Sequence, residues 1–74
     1  MNVTVERRGG EDDAPPVSFR LGDTEYVVEA VLDRWFGADS TFFKTRASDG
    51  NLYILRHRES AAEGDWTLES FRRD

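Results

Sequence analysis

The sequence predicts an all-β fold, a single small antiparallel meander of five or six strands that is strongly bent or barrel-like. Three observations predict it. Short segments alternate apolar and polar residues, as strands with one buried face do. Glycine-containing turns, Gly22-Asp23 and Asp49-Gly50, separate some of these segments. The chain has 74 residues, so a flat sheet would leave one face uncovered, and we expect a single domain over residues 1–74.

The chain begins with a short strand signal followed by a break. Val3 and Val5 alternate with polar residues within 2–6, which predicts the first strand. Residues 9–16 combine two glycines, the triplet Glu11-Asp12-Asp13 and two prolines, and proline cannot donate to a sheet ladder. We therefore expect an exposed acidic and proline-containing loop at 9–16. The triplet lacks the ligand spacing of a calcium loop, so we predict no metal site there.

Residues 24–36 decide between two fold classes. Their apolar residues also fit helical spacing, so an α+β fold with a helix at 24–36 is the alternative. Against the helix, three valines prefer extended backbone, and carboxylates would stack four residues apart. A turn at Gly22-Asp23 instead creates three favourable cross-strand pairs, each worth roughly 0.2 to 1 kcal/mol. These pairs are Phe19 with Tyr26, Val17 with Val28, and Arg20 with Glu25.

We therefore predict a strand over 24–36. Its inward-facing side chains, two residues apart, are Tyr26, Val28, Ala30 and Leu32. A polar loop at 59–65 and a last strand from Trp66 to Phe71 complete the meander, with Trp66 and Leu68 facing inward.

The clearest hairpin lies between Phe42 and Arg58, around Asp49-Gly50 as a two-residue loop. This loop length predicts that Ala47 opposes Leu52 on one face. The same face carries Phe43, Thr45, Ile54 and Arg56, and it is the predicted core wall.

The other face of this hairpin carries the candidate binding surface. Its residues are Phe42, Lys44, Arg46, Tyr53 and His57, extended by Arg34. Aromatic side chains that stack on bases, set among cations that contact phosphates, are how small β domains hold single-stranded nucleic acid. The same aromatic and cationic pairs also stabilise a half-solvated sheet without binding anything.

The charge pattern favours protein interaction over nucleic-acid binding. The net charge is −5, and avid phosphate binding needs a positive field. Residues 34–58 are nevertheless locally basic, with five basic and two acidic side chains. We predict a non-catalytic protein-interaction or self-associating module, since small open sheets offer strand edges to partners. The alternative is a weak binder of single-stranded nucleic acid.

Catalysis, cofactors and a membrane location are not expected. His57 is the single histidine, and no nucleophile or metal-ligand motif accompanies it. The absence of cysteine excludes disulfides and thiolate metal sites and agrees with a reducing compartment. The first residues lack a signal-peptide pattern and no long apolar run exists, so we expect a cytoplasmic protein.

A family resemblance rests on four segments. They are Trp35-Phe36-Gly37, Phe42-Phe43-Lys44, Asp49 to Arg56, and Trp66-Thr67-Leu68. With these segments the chain resembles a group of short bacterial proteins of unknown function. The resemblance implies a small β-rich bacterial domain, and it implies no activity, cofactor or functional residue.

Overall fold

The fold is a six-stranded antiparallel meander. The computed structural model describes residues 3–7, 15–58 and 65–73. The strands are β1 (Thr4–Arg7), β2 (Pro16–Leu21), β3 (Thr24–Phe36), β4 (Ser40–Ala47), β5 (Leu52–Arg58) and β6 (Asp65–Arg72). They form one sheet in the order β1-β2-β3-β4-β5-β6. The all-β prediction is confirmed, and the helix considered for residues 24–36 is a strand.

The sheet is curled into a half-barrel around its longest strand. The first part of β3 pairs with β2 through the predicted Phe19–Tyr26 and Arg20–Glu25 pairs, and the rest pairs with β4. Register shifts interrupt the β3–β4 ladder twice, and such bulges bend and twist a strand. The two outer strands, β1 and β6, approach each other at one end, where the N–H of Val3, just before β1, donates to the carbonyl of Trp66 in β6 at 3.2 Å.

The concave face holds the core. Its buried residues are Phe19, Phe43, Ala47, Tyr53, Leu55 and Trp66. Six partly buried residues pack against them: Val3, Val5, Leu21, Tyr26, Val28 and Leu68. The predicted inward positions of Trp66, Leu68, Tyr26 and Val28 are confirmed. Large aromatic side chains thus supply much of the core, as a domain of this size requires.

The prediction that Ala30 and Leu32 face inward is wrong. The register shifts fall between Val28 and Ala30 and between Val31 and Asp33, and each adds one residue to β3. As a result Ala30 lies opposite Arg46 on the outer face, and Leu32 is exposed.

The predicted register of the β4–β5 hairpin is also wrong, by one residue. The Gly50 N–H donates to the Ala47 carbonyl at 2.9 Å, and the Ala47 N–H donates to the Asn51 carbonyl at 3.1 Å. The loop therefore has three residues, Ser48-Asp49-Gly50, and Gly50 takes the left-handed position with φ +85°. Thr45 consequently lies opposite Tyr53 and Phe43 opposite Leu55. A slip of one residue moves every side chain of β5 to the other face.

A contact with a third strand accompanies this loop. The Ser48 N–H donates to the Val27 carbonyl at 2.8 Å, and the Val27 N–H donates to Ser48 Oγ at 3.3 Å. A two-residue loop around Asp49-Gly50 would pair Ser48 with Asn51 instead. The neighbouring strand β3 thus stabilises the observed loop.

Parts of two predicted loops lie outside the described residues. Of the segment 9–16, only Pro15 and Pro16 are described, and Pro16 is the buried first residue of β2, a position that tolerates proline. Residues 59–64 of the second loop also lie outside the described ranges. Nowhere in those ranges is there a helix with the length and apolarity needed to cross a membrane.

Candidate functional site

The structure separates the six residues that were predicted to share one face. Tyr53 and His57 face the core, where they are only 3% and 6% exposed. The His57 ring stacks on Trp66 with centroids 4.6 Å apart. Grouping these two residues with Phe42 and Lys44 was wrong, because the hairpin is shifted by one residue.

Three of the six residues remain together on the outer, convex face. Phe42, Lys44 and Arg46 alternate along β4, and Arg46 is exposed. Arg34 does not join them, because it pairs with Phe43 and so projects from the opposite face. Its guanidinium lies 5.5 Å from the Phe36 ring centroid.

The outer face also carries Trp35, which was not among the predicted surface residues. Trp35 lies opposite Phe42, and their rings stack with centroids 5.4 Å apart and an interplanar angle of 4°. Counting in twos from Tyr26 places Trp35 outward, so its signal was present in the sequence. Beside the stack lies a cleft of ≈ 270 Å³ lined in part by Asp33, Lys44 and Arg72.

Carboxylates balance part of the outer-face charge. Arg56 lies 3.7 Å from Asp39 and 3.6 Å from Glu69, and its Nε donates to Ser40 Oγ at 2.9 Å. Lys44 and Arg72 form no ion pair with any residue that the structure describes. The outer face is therefore mixed in charge, and beside its aromatic stack lie two cations without an ion pair to any described residue.

The second half of β3 exposes an apolar segment. Its four exposed large side chains range from 37% for Trp35 to 67% for Phe36, and the other two are Val31 and Leu32. The β2–β3 ladder ends at Val27, so beyond it one side of β3 has no strand partner within 3–7, 15–58 and 65–73. The segment from Val31 to Phe36 thus combines an open strand edge with exposed apolar side chains.

A third feature is a groove of ≈ 510 Å³ at one mouth of the half-barrel. It is bounded by the β2–β3 turn, the β4–β5 turn and the end of β6, and it is lined by Leu21, Gly22, Tyr26, Asp49, Asn51, Tyr53, Leu68 and Phe71. The Tyr53 hydroxyl donates to Asp49 Oδ2 at 2.6 Å. This hydrogen bond lowers the pKa of Asp49 below its ordinary value of 3.8. The pKa of Tyr53 is raised, mainly because its hydroxyl is buried and secondly because it donates to Asp49. A charged Asp49 and a protonated Tyr53 hydroxyl are therefore the stable pair at neutral pH.

Within the described ranges, no three His, Asp or Glu side chains come close enough together to hold a metal ion.

Comparisons with known proteins find no relative. No family model matches the chain, and no curated protein or solved structure gives a significant match. This result is consistent with a resemblance limited to an uncharacterised group.

Proposed function

We propose that the protein is a non-catalytic, self-associating interaction module in which the second half of β3 pairs with the same segment of a second copy. One observation carries the proposal. Among the described residues, four of the seven exposed large hydrophobic side chains fall between Val31 and Phe36, on the part of β3 that lacks a described strand partner on one side. Concentrated exposed apolar side chains mark interaction sites, and an open strand edge offers unpaired backbone groups to another strand.

The geometry of a β-sheet favours a two-fold dimer over an open-ended assembly. A two-fold axis perpendicular to the sheet relates two copies of one strand in antiparallel orientation, which is the orientation of every pair in this sheet. Both copies use the same edge in such a contact, so the contact closes on itself.

The residue pattern of the segment supports a second copy as the partner. An aliphatic pair, Val31-Leu32, and an aromatic pair, Trp35-Phe36, flank Asp33-Arg34. Antiparallel pairing centred near Asp33-Arg34 brings the aliphatic pair of one copy beside the aromatic pair of the other. Aromatic and β-branched side chains across a ladder stabilise it by roughly 0.2 to 1 kcal/mol per pair.

The test compares two lysine substitutions on the same strand. Leu32→Lys places a charge on the open edge, a device that blocks strand pairing. Val27→Lys is the matched control, because Val27 is exposed but has a partner on both sides, Ser18 of β2 and, through two hydrogen bonds, Ser48 of the β4–β5 turn. Light scattering over a concentration series should show a monomer–dimer equilibrium for the wild type and Val27→Lys, and a monomer for Leu32→Lys.

Hydrogen exchange adds a readout at the proposed contact. Amides of residues 30–36 should become more protected as the wild-type concentration rises, and those of Leu32→Lys should not. A wild type that stays monomeric at millimolar concentration would contradict the proposal. Equal loss of association in both lysine variants would contradict it as well.

A second candidate function rests on the outer face. We propose weak binding of single-stranded nucleic acid there, supported by the Trp35–Phe42 stack beside Lys44 and Arg46. Bases stack on aromatic side chains while cations follow the backbone. The carboxylates of Asp33, Asp39 and Glu69 and the net charge of −5 make it the weaker candidate.

Anisotropy of a labelled ten-nucleotide thymidine strand at low salt tests this second candidate. Lys44→Ala/Arg46→Ala should abolish binding, and Arg34→Ala/Arg73→Ala, which removes the same charge from the opposite face and from beyond the end of β6, should reduce it less. Equal effects of the two double variants would contradict a site on the outer face.

For both candidate functions we propose a cytoplasmic location in a bacterium, which is supported by the cysteine-free composition and the resemblance.

A further inference from the structure

We propose that the groove at the mouth of the half-barrel binds a quaternary ammonium group of a small organic cation, held by Asp49 and by the aromatic row Tyr26, Tyr53 and Phe71. This site lies apart from the open edge of β3 and does not depend on the proposed self-association. Mouths of β-barrels are common places for ligands, because strand ends and turns form a rim around a partly apolar floor.

The aromatic row forms the floor of the groove. The Tyr26 and Tyr53 centroids are 5.3 Å apart, and those of Tyr53 and Phe71 are 5.1 Å apart. Phe71 is 50% exposed, Tyr26 is partly buried and Tyr53 is only 3% exposed, so the ring surface open to a ligand comes mainly from Phe71 and Tyr26. Aromatic rings carry negative charge on their faces and attract cations. The rings are too close together to admit a ligand between them, so the cation would rest against the row.

The charge of the groove selects a cation. Among the described residues that line it, Asp49 is the only one with a charged side chain. A carboxyl group with the ordinary pKa of 3.8 is already ionised at neutral pH, and the short hydrogen bond from Tyr53 lowers the pKa of Asp49 further. The cleft on the outer face differs, because its lining includes Lys44 and Arg72.

The hydrogen bonds of Asp49 select the kind of cation. Its Oδ1 accepts from the Asn51 backbone N–H at 3.0 Å, and its Oδ2 accepts from Asn51 Nδ2 at 3.2 Å and from the Tyr53 hydroxyl at 2.6 Å. A guanidinium binds a carboxylate best through two parallel hydrogen bonds and would have to compete with these donors. A quaternary ammonium has no N–H groups and needs only charge and aromatic surface.

Choline and its neutral isostere, 3,3-dimethylbutan-1-ol, test the proposal directly. Both are titrated into the wild-type protein, and binding is followed by NMR shifts of the amides in the two turns and at the end of β6. Choline should bind with shifts centred on residues 49–53 and 71. The neutral isostere should bind at least fivefold more weakly. Equal binding of the two compounds would overturn the proposal.

Two pairs of matched variants locate the site. Asp49→Asn, which keeps an acceptor in the turn, should reduce choline binding strongly, and Asp23→Asn, in the other turn, should not. Phe71→Leu should weaken binding by roughly two- to fivefold, the value of one exposed cation–π contact. Phe36→Leu, at a more exposed phenylalanine on β3, should leave it unchanged.

Two further outcomes would also overturn the proposal. One is tighter binding of methylguanidinium than of choline, because it would assign the groove to N–H donors. The other is retention of choline binding in Asp49→Asn with unchanged shifts at Phe71. Failure of either kind would leave self-association unaffected, since Leu32→Lys alters a different surface.

Discussion

Tyr53 connects the core to the turn that sets the β4–β5 hairpin. Its ring lies in the core beside Phe19, with centroids 5.0 Å apart, while its hydroxyl reaches Asp49 in the turn. Its carbonyl accepts from Thr45 Oγ1 at 3.0 Å, which satisfies a buried hydroxyl. One side chain therefore couples core packing to the conformation of an exposed turn.

Tyr53→Phe should lower the free energy of unfolding by about 1 to 2 kcal/mol, because it removes a hydrogen bond to a charged acceptor and leaves the ring in place. Urea denaturation at pH 7 measures the loss. The opposite result, an unchanged midpoint, would mean that water replaces the hydroxyl at Asp49 without cost.

The same hydrogen bond makes this difference depend on pH. Because the folded state lowers the pKa of Asp49, the stability contributed by the bond is fully present above the ordinary value of 3.8 and is lost as the pH falls through the lower, folded value. The wild type and Tyr53→Phe should therefore converge in stability at acidic pH. In an Asp49→Asn background, the Tyr53→Phe difference should not vary over this range. With Asp49 in place, a difference in unfolding free energy between wild type and Tyr53→Phe that stays constant down to pH 2 would refute the Tyr53–Asp49 hydrogen bond as its source.

Gly50 tests the backbone of the turn alone. It has φ +85°, and a Cβ built at this position would meet nothing within 4 Å. Gly50→Ala should therefore cost about 1 kcal/mol through the left-handed backbone and not through a clash. Gly50→Asn should cost less, because asparagine tolerates this conformation. Thermal unfolding of both variants measures the difference, and equal losses would indicate a cause other than backbone conformation.

At the scale of the elements, the β4–β5 hairpin shows what local sequence leaves open. Asp49-Gly50 fits a two-residue loop and also the end of a three-residue loop with glycine in the left-handed position. The two choices differ by one residue in register and thus exchange the faces of β5. The contacts of Ser48 with Val27, on a strand more than twenty residues earlier, favour the second choice. Such a tertiary contact cannot be read from the turn residues.

The β2–β3 hairpin was predictable in its central pairs, because one turn placed both an aromatic pair and two residues of opposite charge across the ladder. The bulges of β3 were not, since neither Gly nor Pro marks them between residues 24 and 36. The composition of the candidate surface depended instead on the register of the β4–β5 hairpin. Phe42, Lys44 and Arg46 stayed together because they share a strand, whereas Tyr53 and His57 were lost through the register of the hairpin.

A pair of neighbouring alanine substitutions tests the register of β5. Leu55 is fully buried, and Ile54 next to it lies on the outer face and is partly buried. Leu55→Ala should cost about 2 to 5 kcal/mol and Ile54→Ala about 1 kcal/mol, because only the first leaves a cavity in the core. Chemical denaturation ranks the two variants. A larger loss for Ile54→Ala than for Leu55→Ala would favour the two-residue loop and contradict the observed register of β4 and β5.

At the scale of the whole molecule, charge and apolar surface are separated along the sequence. Residues 8–14 and 59–64 carry five acidic side chains and one arginine, so they hold four of the five net negative charges. The described ranges hold nine basic and nine acidic residues, a neutral balance. Two copies that approach through β3 thus carry the same net negative charge, whereas the surfaces that come into contact are exposed apolar segments.

The two candidate functions should therefore respond to salt in opposite directions. Raising the salt from about 0.05 M to 0.5 M shortens the screening length severalfold, which weakens repulsion between two copies of charge −5 and leaves apolar contacts intact. Self-association through β3 should tighten over this range, as sedimentation equilibrium can measure. Binding of single-stranded DNA should weaken, because cations such as Lys44 then compete with salt ions for phosphate. If self-association weakened with salt instead, ion pairs and not the apolar segment between Val31 and Phe36 would hold the dimer.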